Sequence, residues 1–163
     1  MHWTTWAVPL AIGAGWQFYR MWRNTTGAPI VKLDKDDPAL VEAIARGRAT
    51  MPDFIRALAA PLPGHRDFSI KALFPDLQEH MWISDPRYAE GEFTGTLGNI
   101  PAGSTSLKLG DEVRVPEAWV TDWKYIDNNV LAGGYTLRLI RNRMSEKARN
   151  DFDSHIDFKI PNN

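Results

Sequence analysis

FSIKALFPDLQEHMWISD, residues Phe68 to Asp85, holds two short runs of two-residue periodicity. Successive side chains of a strand point to opposite faces. Phe68, Ile70, Ala72 and Phe74 therefore share one side of a first strand, with Ser69, Lys71 and Leu73 on the other. In the second, Met81 and Ile83 oppose His80, Trp82 and Ser84. The same period continues downstream. Glu92 to Leu97 places Phe93, Gly95 and Leu97 on one face, Val113 and Val115 mark a fourth strand, Trp119 to Ile126 a fifth, and Gly134 to Asn142 a sixth. Asp127 to Gly133 is expected as the loop between the last two, Asn99 to Gly103 as another loop, and Leu109-Gly110-Asp111 as a tight turn with Gly110 at positive φ. Short strands in close succession predict an antiparallel sheet or a small, partly open barrel.

Upstream of Phe68 the period is helical. Leu40, Ile44, Met51, Ile55 and Leu58 recur at helical spacing, one apolar face from Asp37 to about Ala60. Asp37 can cap that helix and Pro38 suits its first position, where no N–H is lost. Pro52 predicts a break near Thr50, with Thr50 and Asp53 resembling a fresh capping box. Arg46, Arg48 and Arg56 are expected on a solvated face, with a phosphate site as the alternative. Ser145 predicts a last short helix through Phe152. The expected fold is α+β: N-terminal helices covering one face of a mostly antiparallel sheet of five to seven strands.

Residues 3–19, WTTWAVPLAIGAGWQFY, carry no charged side chain and gather aromatic residues at both ends. Seventeen residues make a helix of about 25 Å, at the short end of what crosses a bilayer. Arg20 and Arg23 follow the apolar run instead of preceding it, which argues against a cleaved secretory signal and for a membrane anchor with the domain on the cytoplasmic side. A helix packed on the domain or lying at an interface is the alternative, with a soluble cytoplasmic or periplasmic location. Residues 24–36 form a linker, 37–153 one domain and 154–163 a C-terminal tail.

With 44% apolar and 24% charged residues the chain matches an ordinary folded domain. A net charge of −1 leaves no basic excess for phosphate backbones, so nucleic acid is not an expected partner. The absence of cysteine excludes disulfides and thiolate metal sites. His2, His65, His80 and His155 have no metal-ligand spacing, and no metal or cofactor is expected. Gly98 to Thr105 approaches a phosphate-binding loop, but Ser104 replaces its lysine and Pro101 removes a cradling N–H.

Without a catalytic motif, the polar and aromatic residues of the strands are the candidates for a surface or site: His80, Trp82, Lys71, Asn99, Asp111, Asp122 and Arg138. The leading functional reading is a non-enzymatic domain that binds a partner protein, in the manner of toxin-neutralising proteins, because surplus aromatic residues suit binding hot spots. The alternative is a small hydrolase or transferase. There His80 is general base, Asp111 or Asp122 orients it, and Lys71 or Arg138 holds an anion. A local satisfaction of His80 and a turn-closing role for Asp122 are the plain structural readings of the same residues.

Five motifs occur in order: Glu79-His80-Met81-Trp82, Phe93 through Pro101, Leu109 through Val113, Asp122-Trp123-x-Tyr125 and Gly134 through Arg138. In these the chain resembles the YegJ-like bacterial proteins, domain of unknown function 2314, over roughly Thr50 to Met144. The resemblance implies a compact α+β domain with a strongly bent sheet. It supplies no catalytic residues, so His80, Trp82, Asn99, Gly110, Asp111, Trp123, Thr136 and Arg138 are candidates for architecture as much as for a site.

Overall fold

The computed structural model describes residues 34–102 and 105–162. The expected anchor at 3–19 and most of the linker lie outside them. Among the described residues two helices come first, α1 (Pro38–Ala49) and α2 (Met51–Ala59). The strands are β1 (His65–Phe74), β2 (Glu79–Ala89), β3 (Glu92–Leu97), β4 (Glu112–Pro116), β5 (Val120–Asp127) and β6 (Val130–Gly133). Helices α3 (Tyr135–Asn142) and α4 (Glu146–Ser154) follow, and beyond them Lys159 forms an isolated parallel bridge with Val130. The sheet is open, in the order β4-β3-β2-β1-β5-β6, with every neighbouring pair antiparallel. Of the two expected forms, sheet or partly open barrel, it is the sheet.

The alternation in Phe68 to Asp85 sets the two faces. Ile70, Ala72, Met81 and Ile83 are buried on one, where Phe54 of α2 closes the core with its ring 5.4 Å from Trp123 and 5.9 Å from Phe68. Phe54 is fully buried, so truncation to alanine removes a ring the sheet cannot collapse to replace, at about 3–5 kcal/mol. Ile126 lies two and four residues beyond Lys124 and Asp122 on the opposite face. There it forms a second cluster with Leu131 of β6, Leu137 of α3, and Ala148 and Phe152 of α4. Helices thus pack on both faces, where the periodicity led us to expect them on one. In addition α1 runs along the part of β5 that β6 leaves unpaired. A Cβ at Gly47 would lie 2.9 Å from the Thr121 carbonyl oxygen, and the Gly47 carbonyl accepts from Trp123 Nε1 at 3.0 Å.

Helix signals hold in detail at one end and fail at another. Asp37 Oδ1 accepts from the Ala39 N–H at 2.9 Å, and Ser145 Oγ accepts from the Ala148 N–H at 3.2 Å. The break falls at Thr50, but no capping box forms. The Thr50 hydroxyl donates back to the Arg46 carbonyl at 2.7 Å, terminating α1, while Asp53 pairs with Arg56.

The expected sixth strand is wrong. Gly134 to Asn142 is nearly all helix, and the true sixth strand is Val130–Gly133, inside the expected loop. Gly133 and Gly134 both adopt positive φ, 67° and 65°, and so turn the chain out of the sheet. Leu137, Ile140 and Met144, spaced three and four apart, then face the second cluster. Tyr135, Leu137 and Leu139 divide between partly covered and buried positions of that helix.

Candidate functional site

Cross-strand register brings three of the expected residues into one row. Trp82 of β2 pairs with Lys71 of β1, which pairs with Asp122 of β5. All three stand on the face opposite Phe54. The Lys71 ammonium lies 5.8 Å from the Trp82 ring centroid and donates to Thr136 Oγ1 at 3.3 Å. Although Lys71 is only partly covered by surface area, it is embedded deeply enough that desolvation holds its pKa below the usual lysine value, against the attraction of Asp122.

Asp122 is completely buried, and both of its oxygens are committed. Oδ1 accepts from the Trp123 and Tyr135 N–H groups at 2.9 and 3.1 Å. Oδ2 accepts from the Thr136 N–H at 2.8 Å and from the Thr136 hydroxyl at 2.7 Å. A carboxylate on β5 thereby caps the first turn of α3, where orphan N–H groups need acceptors. Burial pushes its carboxyl up, and the Thr136 hydrogen bonds pull it back.

His80 stands apart from both aspartates to which sequence reasoning linked it. It is exposed, and its Nδ1 lies 3.0 Å from Thr121 Oγ1, which in turn donates to the Lys71 carbonyl at 3.3 Å. The ring is neutral at physiological pH. Its pKa falls to about 4 because surrounding protein desolvates the charged form and because Lys71 and Arg48 add positive potential. Arg48, at the end of α1, donates from Nε to the Val120 carbonyl at 3.2 Å and borders a hollow of about 400 Å³ with Met51, Glu117, Ala118 and Val120.

The remaining candidates are placed elsewhere by the chain. Asn99, buried, holds strands together: its Oδ1 accepts from the Trp82 N–H at 2.8 Å. Asp111 closes the turn before β4 by accepting from the Lys108 N–H at 2.8 Å. Arg138 clamps β6 to α3 through the Gly133 and Leu131 carbonyls, both at 2.8 Å. Among the described residues no cluster of acidic and histidine side chains could hold a metal ion.

Sequence reasoning passed over Thr121 and Lys124, and took Arg48 only as part of a solvated face. Lys124 is 3% exposed, with its ammonium 5.8 Å from the same Trp82 ring and 3.4 Å from the Asp67 carbonyl oxygen. Burial lowers its pKa to about 8. Its parity with Asp122 could have placed it on this face. Arg48 gave no such signal, because its position depends on how α1 meets the edge of β5. Asp67 and Asp85, both at positive φ, flank the irregularities where β1 leaves register with β5 and β2 with β3.

A family model described as "Uncharacterized protein conserved in bacteria (DUF2314)" matches residues 37–159. The chain is 30% identical over 107 residues to the uncharacterized protein YegJ of Escherichia coli K12, covering 63% of this chain and 67% of YegJ. It is 34% identical over 88 residues to a Neisseria meningitidis serogroup B protein that carries an ankyrin-repeat name. That match spans 53% of this chain but only 35% of the relative. No solved structure matches significantly.

Proposed function

The chain belongs to the bacterial family of domain of unknown function 2314, and on that footing we propose that it is a non-enzymatic interaction domain whose binding surface is the β2–β1–β5 face around His80 and Lys71. One observation carries this reading. His80 is bonded to Thr121, while Asp111 and Asp122, the two carboxylates able to orient a base, both serve as caps of turns or helices. A general base needs a partner to fix its tautomer and a pKa near the working pH. His80 has an uncharged neighbour and a pKa of about 4, which suits recognition better than proton transfer. The ankyrin-repeat name of the Neisseria relative accords with an interaction role, though it belongs to a protein of which this chain matches about a third. Residues 3–19 are proposed to tether the domain to a membrane, with a protein as its partner.

Capture from the native host tests the surface. Full-length protein is expected to retain a discrete partner that the His80→Ala/Arg48→Glu variant releases. Equal retention by both forms, or a hydrolytic activity that disappears with His80, overturns the proposal.

A further inference from the structure

The two edges of the sheet are finished differently. At the β6 edge the C-terminal tail returns, where the Leu131 N–H donates to the Lys159 carbonyl at 2.8 Å and the Lys159 N–H to the Asn129 carbonyl at 2.7 Å. Among the described residues the β4 edge has no such cover. Its inner side is fixed at both ends. The Leu97 N–H donates to the Asp111 carbonyl at 2.8 Å before the strand, and the Glu117 N–H to the Gly91 carbonyl at 2.9 Å after it. Backbone groups of an antiparallel strand turn alternately to its two sides. Val113 and Val115 therefore bond inward to β3, while Glu112, Arg114 and Pro116 turn their backbone groups outward. Neither the N–H nor the carbonyl of Glu112 or Arg114 has a partner among the described residues. Pro116, with no N–H to leave open, ends the row.

The side chains on this edge are self-complementary. Glu112 and Arg114 project from the face opposite the buried Val113 and Val115, and are 70% and 69% exposed. Two copies of β4 laid edge to edge and antiparallel can match their outward residues in two registers. Centred on Arg114, the two arginines stand against each other and Glu112 faces Pro116. Centred on Val113, Glu112 stands against Arg114 of the second copy and Arg114 against its Glu112, and every outward N–H and carbonyl of these residues is paired. Opposite charges directly across an antiparallel pair stabilise it and like charges oppose it. We infer that the β4 edge is the interface of a two-fold dimer of this chain, in which two sheets join in the register centred on Val113. The pairs Arg87–Glu112 and Glu92–Arg114 of each copy then run on into rows of alternating sign: Arg87, Glu112, Arg114 of the second copy and its Glu92. The two-fold axis passes between facing Val113 residues and keeps both cores on one side of the joined sheet. Edges are kept single by charged side chains, lysine above all, and by proline. Here the charges are of opposite sign and attract across the edge, and the proline is the last residue of the strand. A five-residue edge covers less than the roughly 800 Å² per partner of a standard interface, so the dimer is weak and depends on concentration.

The full-length protein is sedimented over a range of concentrations, and amide hydrogen exchange is measured by NMR at the two ends of that range. A monomer–dimer equilibrium is expected. The Glu112 and Arg114 amides exchange more slowly in the dimer, whereas those of Val113 and Val115, bonded inward in either state, do not change. This readout needs no variant. Arg114→Glu and Glu112→Arg each set like charges across the edge and are expected to weaken self-association about tenfold. An equal mixture of these two variants places every charge against its opposite and restores the dimer. The double exchange Glu112→Arg/Arg114→Glu restores it alone. A protein that stays monomeric through about 1 mM overturns the inference. So do dimers whose Glu112 and Arg114 amides exchange as in the monomer, single variants that associate as the parent does, and a mixture that fails to recover. β3 separates β4 from β2, and neither exchanged residue belongs to the His80 surface, so this proposal and the capture of a partner there fail separately.

Discussion

His80 illustrates how a residue suited to catalysis is turned to another use by its neighbours. Its ordinary pKa of 6.5 falls to about 4 in the folded chain. Between those values the unfolded chain binds more protons than the native one, so stability rises with pH across that window and is lost as pH falls from about 6.5 toward 4. His80→Asn removes this linkage. The acid limb of a urea-unfolding series should flatten in that range, and a variant whose limb keeps the parent slope would refute the assignment. At Asp122 the expectation concerns stability, not titration. An asparagine there turns an amide toward N–H and O–H donors that need acceptors, and leaves Lys71 without its buried counter-charge. Asp122→Asn should lose about 3 kcal/mol, read as a lower urea midpoint at unchanged m-value.

Elements were legible in proportion to how locally they are specified. β1 and β2 were readable from period alone, because one face is apolar and a one-residue slip would bury Lys71 and Trp82 on the wrong side. The start of α1 was readable from Asp37-Pro38. β6 and α3 were not. Val130 to Gly133 is too short to show a period, and the turn that separates it from α3 depends on two glycines, of which Gly133 packs against Trp123 across the hairpin. A Cβ on Gly133 would lie 2.4 Å from both the Trp123 carbonyl oxygen and its ring, in a backbone that already has positive φ. At Gly110, also at positive φ, a Cβ would meet nothing within 4 Å. Thermal unfolding should separate the two. Gly110→Val is expected to cost about 1 kcal/mol from backbone strain alone, whereas Gly133→Ala adds a clash that backbone shift must relieve and should cost about 3 kcal/mol or more. Similar losses at both sites would mean that the Gly133 contact is not restrictive. The candidate site divides in the same way. Lys71, Trp82 and Asp122 could be aligned by strand parity, but Arg48 reached the surface through the docking of α1, which no local pattern encodes.

For the whole molecule, the proposed attachment to a membrane rests on residues 3–19 alone. No helix among the described residues is long and apolar enough to cross a bilayer. The family match begins at Asp37, beyond residues 3–19. The anchor's uncharged centre favours insertion, while its Ala, Gly, Thr and Pro content makes the transfer energy modest. In the proposed orientation Arg20 and Arg23 would reach headgroups on the side of the domain. Fractionation distinguishes the ways this segment can act. A spanning anchor keeps the protein with membranes through alkaline carbonate, and protease added to intact spheroplasts then spares the domain. An in-plane helix is released by carbonate, and a helix packed on the domain leaves the protein in the supernatant throughout. The expected outcome is carbonate resistance with a protected domain. Release by carbonate overturns the span, and degradation in spheroplasts overturns the orientation drawn from the arginines.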